Sequence, residues 1–212
     1  MGDRLTPART ALGRAGLVVA PRLLGAVVTS DVGGARVAVR ITEVEAYAGA
    51  EDPASHAFRG RTARNDVMFG PAGHLYCYFT YGMHWCANVV CGPVGEATAV
   101  LLRAGEVIDG LPAARARRPA ARRDTDLARG PARLASCLGF GRDTDGADLL
   151  DPGSPVRLAG LRARRPPGVL AGPRVGISVA IERPWRFWLA GDPTVSAFKP
   201  GGRARRAPRP AD

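Results

Sequence analysis

Apolar and polar residues alternate with a period of two between Arg36 and Tyr47, so Val37, Val39, Ile41, Glu43, Glu45 and Tyr47 share one face of a predicted strand. That face begins apolar and runs into two carboxylates, unless a bulge changes its phase. Residues 75–81, 84–91 and 97–104 are three further strand-like runs, separated by Gly82 and by Gly92-Pro93, and close enough in sequence to pair as an antiparallel meander. Residues 175–181 and 185–189 read as two more strands. Thr6-Pro7, followed by Leu12, Ala15 and Leu17, has the form of a capped helix start, and a second short helix carries Leu23 and Leu24. Gly130-Pro131 opens another helix, with Leu134, Cys137 and Leu138 at helical spacing and Gly139 as its stop. Gly33-Gly34 marks a turn, while residues 48–73 and 142–173 read as loops, the first of the kind that carries function.

These elements predict one α+β domain over residues 1–200: a mainly antiparallel, curved β-sheet flanked by helices, with long functional loops. A length of 212 residues suits one substantial core better than two. No apolar run reaches the roughly 18 residues of a membrane span, and the first apolar stretch is broken by Pro21 and Arg22 with no cleavage pattern after it. The expectation is a protein that is neither secreted nor membrane-bound.

Charge changes the picture. The net charge is +11, the balance of a protein that neutralises phosphates or sits on an anionic surface. Much of the excess lies in two segments: Arg115, Arg117, Arg118, Arg122 and Arg123, read as an Arg-rich loop near 112–124, and Arg203, Arg205, Arg206 and Arg209 in a Gly/Pro-rich tail over 201–212, read as disordered. Arginines in such segments add electrostatic affinity or simply decorate solvated chain. Cys77, Cys86, Cys91 and Cys137 form no C-x-x-C pair and have no His at zinc spacing, so they read as reduced core thiols, and no metal is expected.

Glu45, Tyr47, Glu51, Asp52 and His56 place carboxylates, an aromatic ring and an imidazole within a dozen residues. Arg103 shares parity with Ala99 and Leu101 on its strand, pointing it inward, where a buried guanidinium needs an anion such as Glu45 or Glu43. Spacing alone describes an ion pair between strands as well as it describes a catalytic group. Tyr76 and Tyr78 lie on one face of their strand and Phe79 and Tyr81 on the other. Rings beside a carboxylate form a slot for a flat ligand, or ordinary half-buried packing.

Glu45-Ala-Tyr47, Glu51-Asp52, His56, Arg64-Asn65, Met68-Phe69, the run from Gly73 through Tyr76, Tyr78 and Tyr81 to Met83, Asn88 and Val100-Leu-Leu-Arg103 occur in an order that resembles the alkyladenine (3-methyladenine) DNA glycosylase family. The likeness continues through Gly130-Pro131-Ala-Arg-Leu134, Arg174-Val175-Gly176 and Arg186-Phe187, covering most of residues 20–198. It implies hydrolysis of the N-glycosidic bond of damaged purines in double-stranded DNA, with the target nucleotide flipped into a pocket. It implies that Glu45 activates a water aimed at C1′, that Arg103 and the backbone carbonyl of Val175 help hold that water, and that Tyr47, His56 and Tyr78 surround the base. By the same likeness Asn88 crowds the 2-amino group of normal guanine, Tyr81 and Met83 enter the duplex, and Arg64, Arg129 and Arg133 are candidates for phosphate contact. His84 sits where the family varies, and its role stays open. No cofactor and no membrane partner are implied, and the expected form is a monomer in the cytoplasm, associated with the nucleoid. A glycosylase with lyase activity needs an amine for a Schiff base. The one lysine, Lys199, lies beyond the matching motifs, which favours a water nucleophile and a monofunctional enzyme. Two other classes fit parts of the pattern: a DNA-binding protein that has lost catalysis, and a carbohydrate hydrolase using Glu45 and Asp52 as its carboxylate pair.

Overall fold

A computed structural model describes residues 6–80 and 82–201. The wedge assigned to Tyr81 and the basic tail after Gly201 therefore lie outside the described residues. Two short helices come first, α1 (Pro7–Leu12), capped by the Thr6 side chain with Pro7 in its first turn, and α2 (Gly16–Leu23). Then come β1 (Val27–Ser30), β2 (Val37–Ala48), β3 (Leu75–Thr80), β4 (His84–Cys91) and β5 (Thr98–Asp109). Helices α3 (Leu111–Arg117) and α4 (Pro131–Leu138) follow, and the chain finishes with β6 (Val156–Ala159), β7 (Val169–Gly172) and β8 (Arg186–Leu189).

One antiparallel sheet runs in the order β3-β4-β5-β2-β1-β6, with β8 branching from β2 and β7 from β8. The branch point is physical. Residues 37–40 of β2 pair with β1, whereas Glu43, Val44 and Glu45 pair with β8. Between them the register against β5 slips, skipping Thr42 on one strand and Arg103 on the other. The Thr42 side chain is satisfied by a 2.8 Å hydrogen bond between its hydroxyl and that of Thr194.

This irregularity corrects the strand phase expected from simple alternation. Val37, Val39 and Ile41 face the main core, but after the slip Val44 and Ala46 face it instead. Glu43, Glu45 and Tyr47 are thereby turned to the opposite side of the sheet. The core side is closed by α2, through Val19, Ala20 and Leu23, and by α4, through Leu134, Ala135, Cys137 and Leu138. Fully burying each Val or Leu among these stabilises the fold by about 1.5–3 kcal/mol. The other side carries a smaller apolar cluster that includes Met68, Tyr76, Val90 and Ala99.

The expected meander of β3, β4 and β5 is present, with β5 running past Ala104 to Asp109. Helix α4 starts at Gly130-Pro131 and stops at Gly139, whose φ of 72° is the left-handed conformation that ends many helices. Three expectations need correction. Residues 175–181 form no strand: the chain there is irregular, Ala180 has φ 51°, and Val179 and Ile181 are exposed, so their apolar spacing had no sheet edge to satisfy. Within 142–173, read as loop, lie β6 and β7, each only four residues long. The first part of the Arg-rich segment is helix α3, begun by Pro112 in its first turn and held to the core through Ala114. All four cysteines are buried and unbridged. Among the described residues no helix is long and apolar enough to cross a membrane.

Candidate active site

The face of the sheet opposite the main core opens into a cavity of 390 Å³. Its floor comes from β2, β4 and β5, through Glu45, Asn88, Leu101 and Arg103, and its aromatic wall from Tyr47, His56, Tyr76 and Tyr78. Glu45, Tyr47, His56, Tyr78, Asn88, Arg103 and Val175, which sequence motifs place far apart, all line this one space.

Glu45 is fully buried. Its Oε1 accepts the backbone N–H of Val175 at 2.7 Å and lies 3.3 Å from Arg103 Nη1, while Tyr47 donates its hydroxyl to Oε2 at 3.0 Å. Burial above all, and the nearby Glu43 charge, raise the Glu45 pKa against the lowering effect of Arg103, the Val175 N–H and Tyr47, and the net direction is upward. Val175 thus meets Glu45 through its N–H. The contact sets the backbone of Val175, whose carbonyl the family likeness assigns to the water, beside the carboxylate.

Arg103 is shared between two carboxylates. Its Nε donates to Glu43 Oε1 at 2.8 Å, and the same oxygen accepts Arg186 Nε at 2.7 Å and the Ser196 hydroxyl at 2.9 Å. Glu43 Oε2 accepts the Ser196 N–H at 2.7 Å. Burial would raise the Glu43 pKa, but Arg103 and Arg186 overcome it and hold the carboxyl below its usual range. Burial likewise works against the charge on Arg103, and Glu45 and Glu43 outweigh it. Two buried glutamates two residues apart therefore differ in kind: one is saturated with cations and donors and held low, and the other is desolvated beside an open cavity with its pKa raised.

Tyr47 is braced from behind. The Arg174 guanidinium lies 4.6 Å from its ring centroid and 5.1 Å from that of Trp185. Arg174 also donates to Ala46 O at 3.0 Å and grips Asp52 with both Nη atoms, one contact measuring 2.8 Å. This fully buried pair ties the end of β2 to the loop that carries His56. The His56 ring stands edge-on to Tyr78 with centroids 4.4 Å apart, and its Nδ1 shares a 3.2 Å hydrogen bond with the Tyr76 hydroxyl. Its partial desolvation, and then the nearby charge of Arg64, lower its pKa, favouring a neutral ring. Asn88 donates from Nδ2 to the Tyr76 carbonyl at 3.2 Å, which fixes its amide in the wall. Burial pushes the Tyr76 hydroxyl up to about 12, and Tyr78 rises as well, so both stay protonated.

The remaining candidates sit elsewhere. Met83 is 67% exposed at the tip of the β3–β4 hairpin. Arg64 donates to Phe79 O at 2.8 Å beside the Tyr78 ring, and Arg129 donates to Val195 O at 2.9 Å and pairs with Asp126 at 3.6 Å. Arg133 and Lys199 line a neighbouring cleft. Asp52, required as a second carboxylate by the carbohydrate-hydrolase alternative, is held by Arg174 and does not line the cavity. Among the described residues no cluster of His, Cys, Asp and Glu could hold a metal ion. The supporting group of Arg174, Arg186 and Ser196 was not singled out as functional in the sequence, although both arginines fall in its matching motifs.

Comparison with known proteins gives this constellation its context. The family model for methylpurine-DNA glycosylase (MPG) matches residues 10–193. A relative from Nocardia farcinica, assigned as a 3-methyladenine DNA glycosylase, is 56% identical over 201 residues, 90% of this chain and 92% of its own. Relatives with the same assigned description from Streptomyces avermitilis and Burkholderia lata are 52% and 51% identical, covering 96% and 84% of this chain and 97% and 84% of theirs. With the family model spanning nearly the whole chain, and with a buried glutamate set among rings on its sheet, the protein belongs to the methylpurine-DNA glycosylase family.

Proposed function

We propose that this chain is a monofunctional DNA glycosylase that flips alkylated purines such as 3-methyladenine and 7-methylguanine, and the deaminated purine hypoxanthine, out of duplex DNA and hydrolyses the N-glycosidic bond. The observation that carries the reading is the Glu45 carboxylate, fully buried yet lining a 390 Å³ aromatic cavity. Purines methylated at N3 or N7 are cationic and leave readily, so for them the enzyme needs chiefly a nucleophile and an anion near the sugar, whereas neutral hypoxanthine is a poorer leaving group. Electron-rich rings favour such a base, and base stacking on aromatic side chains contributes about 1–3 kcal/mol per base.

In this reading Glu45 takes a proton from a water as its oxygen bonds to C1′, while the electrons of the breaking C1′–N bond leave with the purine. General-base assistance of this kind contributes typically about 10²–10⁴-fold. The ionised carboxylate also stabilises the positive charge that develops on the sugar. Arg103 and the Val175 N–H hold Oε1, orienting the carboxylate toward the cavity. Asn88, held by the Tyr76 carbonyl, crowds the 2-amino group of guanine and so disfavours normal guanine, a penalty that 7-methylguanine offsets by being already a good leaving group. Lys199 lies in a different cleft, in keeping with hydrolysis by water and no lyase step.

The test is release of base from alkylated and hypoxanthine-containing duplexes. Wild type should liberate the damaged purine, and Glu45→Gln should bind the lesion duplex while releasing none. Lesion binding by wild type without base release refutes the catalytic reading.

A further inference from the structure

Behind Tyr47 lies a charge that the chemistry of Glu45 does not use. Arg174 is fully buried and absent from the lining of the base cavity, whereas the Tyr47 ring, 4.6 Å from its guanidinium, lines it. The cation therefore meets the ring from the side away from the cavity, with Trp185 packed on the same guanidinium at 5.1 Å. Asp52 and Ala46 O hold its Nη edge, and among the described residues its buried Nε has no hydrogen-bond partner, so part of the charge is met only by the rings. Burial works against that charge, and Asp52 outweighs it. Arg64 also approaches a ring of the cavity, that of Tyr78, but it is exposed and 5.9 Å away, where solvent screens it. The pair of Arg186 and Trp188 stands apart from the cavity lining.

An aromatic ring attracts a cation through the negative potential of its face. A cation already seated on one face draws on the same electron density and repels a second cation across the ring. A neutral base, which stacks through contact area and dispersion, loses little by it. Tyr47 backed by a guanidinium is thus a less cation-selective platform than a tyrosine backed by apolar side chains. The proposed substrates include both kinds of base, the cationic purines methylated at N3 or N7 and neutral hypoxanthine.

We infer that Arg174 is a specificity-determining residue acting through Tyr47: its charge behind the stacking ring lowers the preference for cationic over neutral purines and keeps both classes within reach of one pocket. The inference rests on the glycosylase reading, in which the flipped base stacks on Tyr47. Arg174 touches no substrate in it and is a positioning residue whose charge, beyond its grip on Asp52, sets the selectivity.

The test compares two duplexes that differ in the charge of one base: one carries 7-methylguanine, the other its neutral 7-deaza isostere with the same methyl group. Affinities are measured in the Glu45→Gln background, where base release is blocked. Arg174→Met/Asp52→Leu removes both charges and strands neither, an exchange that buried ion pairs often tolerate. The ratio of cationic to neutral affinity should rise about 3- to 10-fold, a part of the worth of one desolvated cation–π contact. If that variant fails to fold, Arg174→Gln/Asp52→Asn, polar but uncharged, should show the same rise. Arg174→Lys keeps a cation behind the ring and should leave the ratio at the parent value even where it lowers the melting temperature. A ratio that is unchanged or lower in the uncharged variants overturns the inference, as equal weakening toward both duplexes is the mark of a brace alone. So does a rise in Arg174→Lys as large as theirs. Base release by the otherwise wild-type protein is scored separately: its absence defeats the glycosylase reading, whereas an unmoved ratio defeats this one.

Discussion

Removing the charge from Glu43 and from Glu45, each by substitution with glutamine, should move stability in different directions although the two residues are equally buried and two positions apart. Glu43 accepts Arg103, Arg186, and both the N–H and the hydroxyl of Ser196. Glu43→Gln leaves the buried Arg186 without a carboxylate and Arg103 with Glu45 alone, and breaking a buried pair in this way costs about 3–5 kcal/mol. At this chain length each kcal/mol moves the melting temperature by about 2–4 °C, so a fall of about 6–20 °C is expected. Glu45→Gln leaves Arg103 its 2.8 Å bond to Glu43, and a glutamine oxygen still accepts the Val175 N–H. What it removes is a carboxylate whose pKa burial has raised, and a charge that folding disfavours. The sign follows. A raised folded pKa weakens the fold at pH above that value, and the effect vanishes below the unfolded glutamate pKa of about 4.3. Glu45→Gln should therefore melt at or above wild type at pH 7, and the difference should disappear near pH 4. The Glu43 carboxyl, held low, contributes stability at neutral pH that is lost as pH falls through its folded pKa. Thermal melts followed by circular dichroism at both pH values check this. A Glu45→Gln melting temperature as low as that of Glu43→Gln would refute the division of roles between the two glutamates.

The single-turnover excision rate should fall as pH drops through the raised pKa of Glu45, and Arg103→Gln should move that limb upward because it removes a cation that lowers the pKa; a rate that stays flat down to the ordinary glutamate range excludes Glu45 as the base. Asp52→Asn strands the buried Arg174 and should cost about 3–5 kcal/mol in urea denaturation, with a weaker affinity for lesion duplex as the Tyr47 brace loosens; a loss under about 1 kcal/mol, the level of an exposed pair, would show the clamp to be idle. Asn88→Ala should raise release of guanine and of 7-methylguanine relative to 3-methyladenine, which has no 2-amino group, and an unchanged ratio removes Asn88 from substrate discrimination.

Local signals made some elements plain in the sequence. Gly82 and Gly92-Pro93 bound the strands of the meander, and Gly130-Pro131 and Gly139 bracket α4, because those residues have backbone requirements of their own. β6 and β7 escaped notice because four residues cannot show a convincing period, and they exist through pairing with β1 and β8. Residues 175–181 have the composition of a strand and no partner to make them one. Helix α3 was hidden by its arginines, although Pro112 stands where a helix start tolerates it. In the cavity, the residue types at Glu45, Tyr47 and Tyr78 were visible, but their shared orientation was not, since the slip at Thr42 carries no residue signature. The pairing of Arg174 with Asp52, 122 positions apart, is a property of the fold alone.

The slip at Thr42 acts on β2 as a shift of reading frame acts on a message. A strand is read two residues at a time, one toward each face, and Thr42 is a single-residue frameshift within β2. Upstream of it the frame writes core and downstream it writes the cavity, so one strand serves both interiors. Deleting Thr42 with the first half of the strand held in place would turn Glu43, Glu45 and Tyr47 toward α2 and α4, and turn Val44 and Ala46 toward the aromatic wall. Every side chain needed by the site would still be encoded, and none would face it. The catalytic carboxylate proposed here is thus specified as much by the count of residues before it as by its own identity.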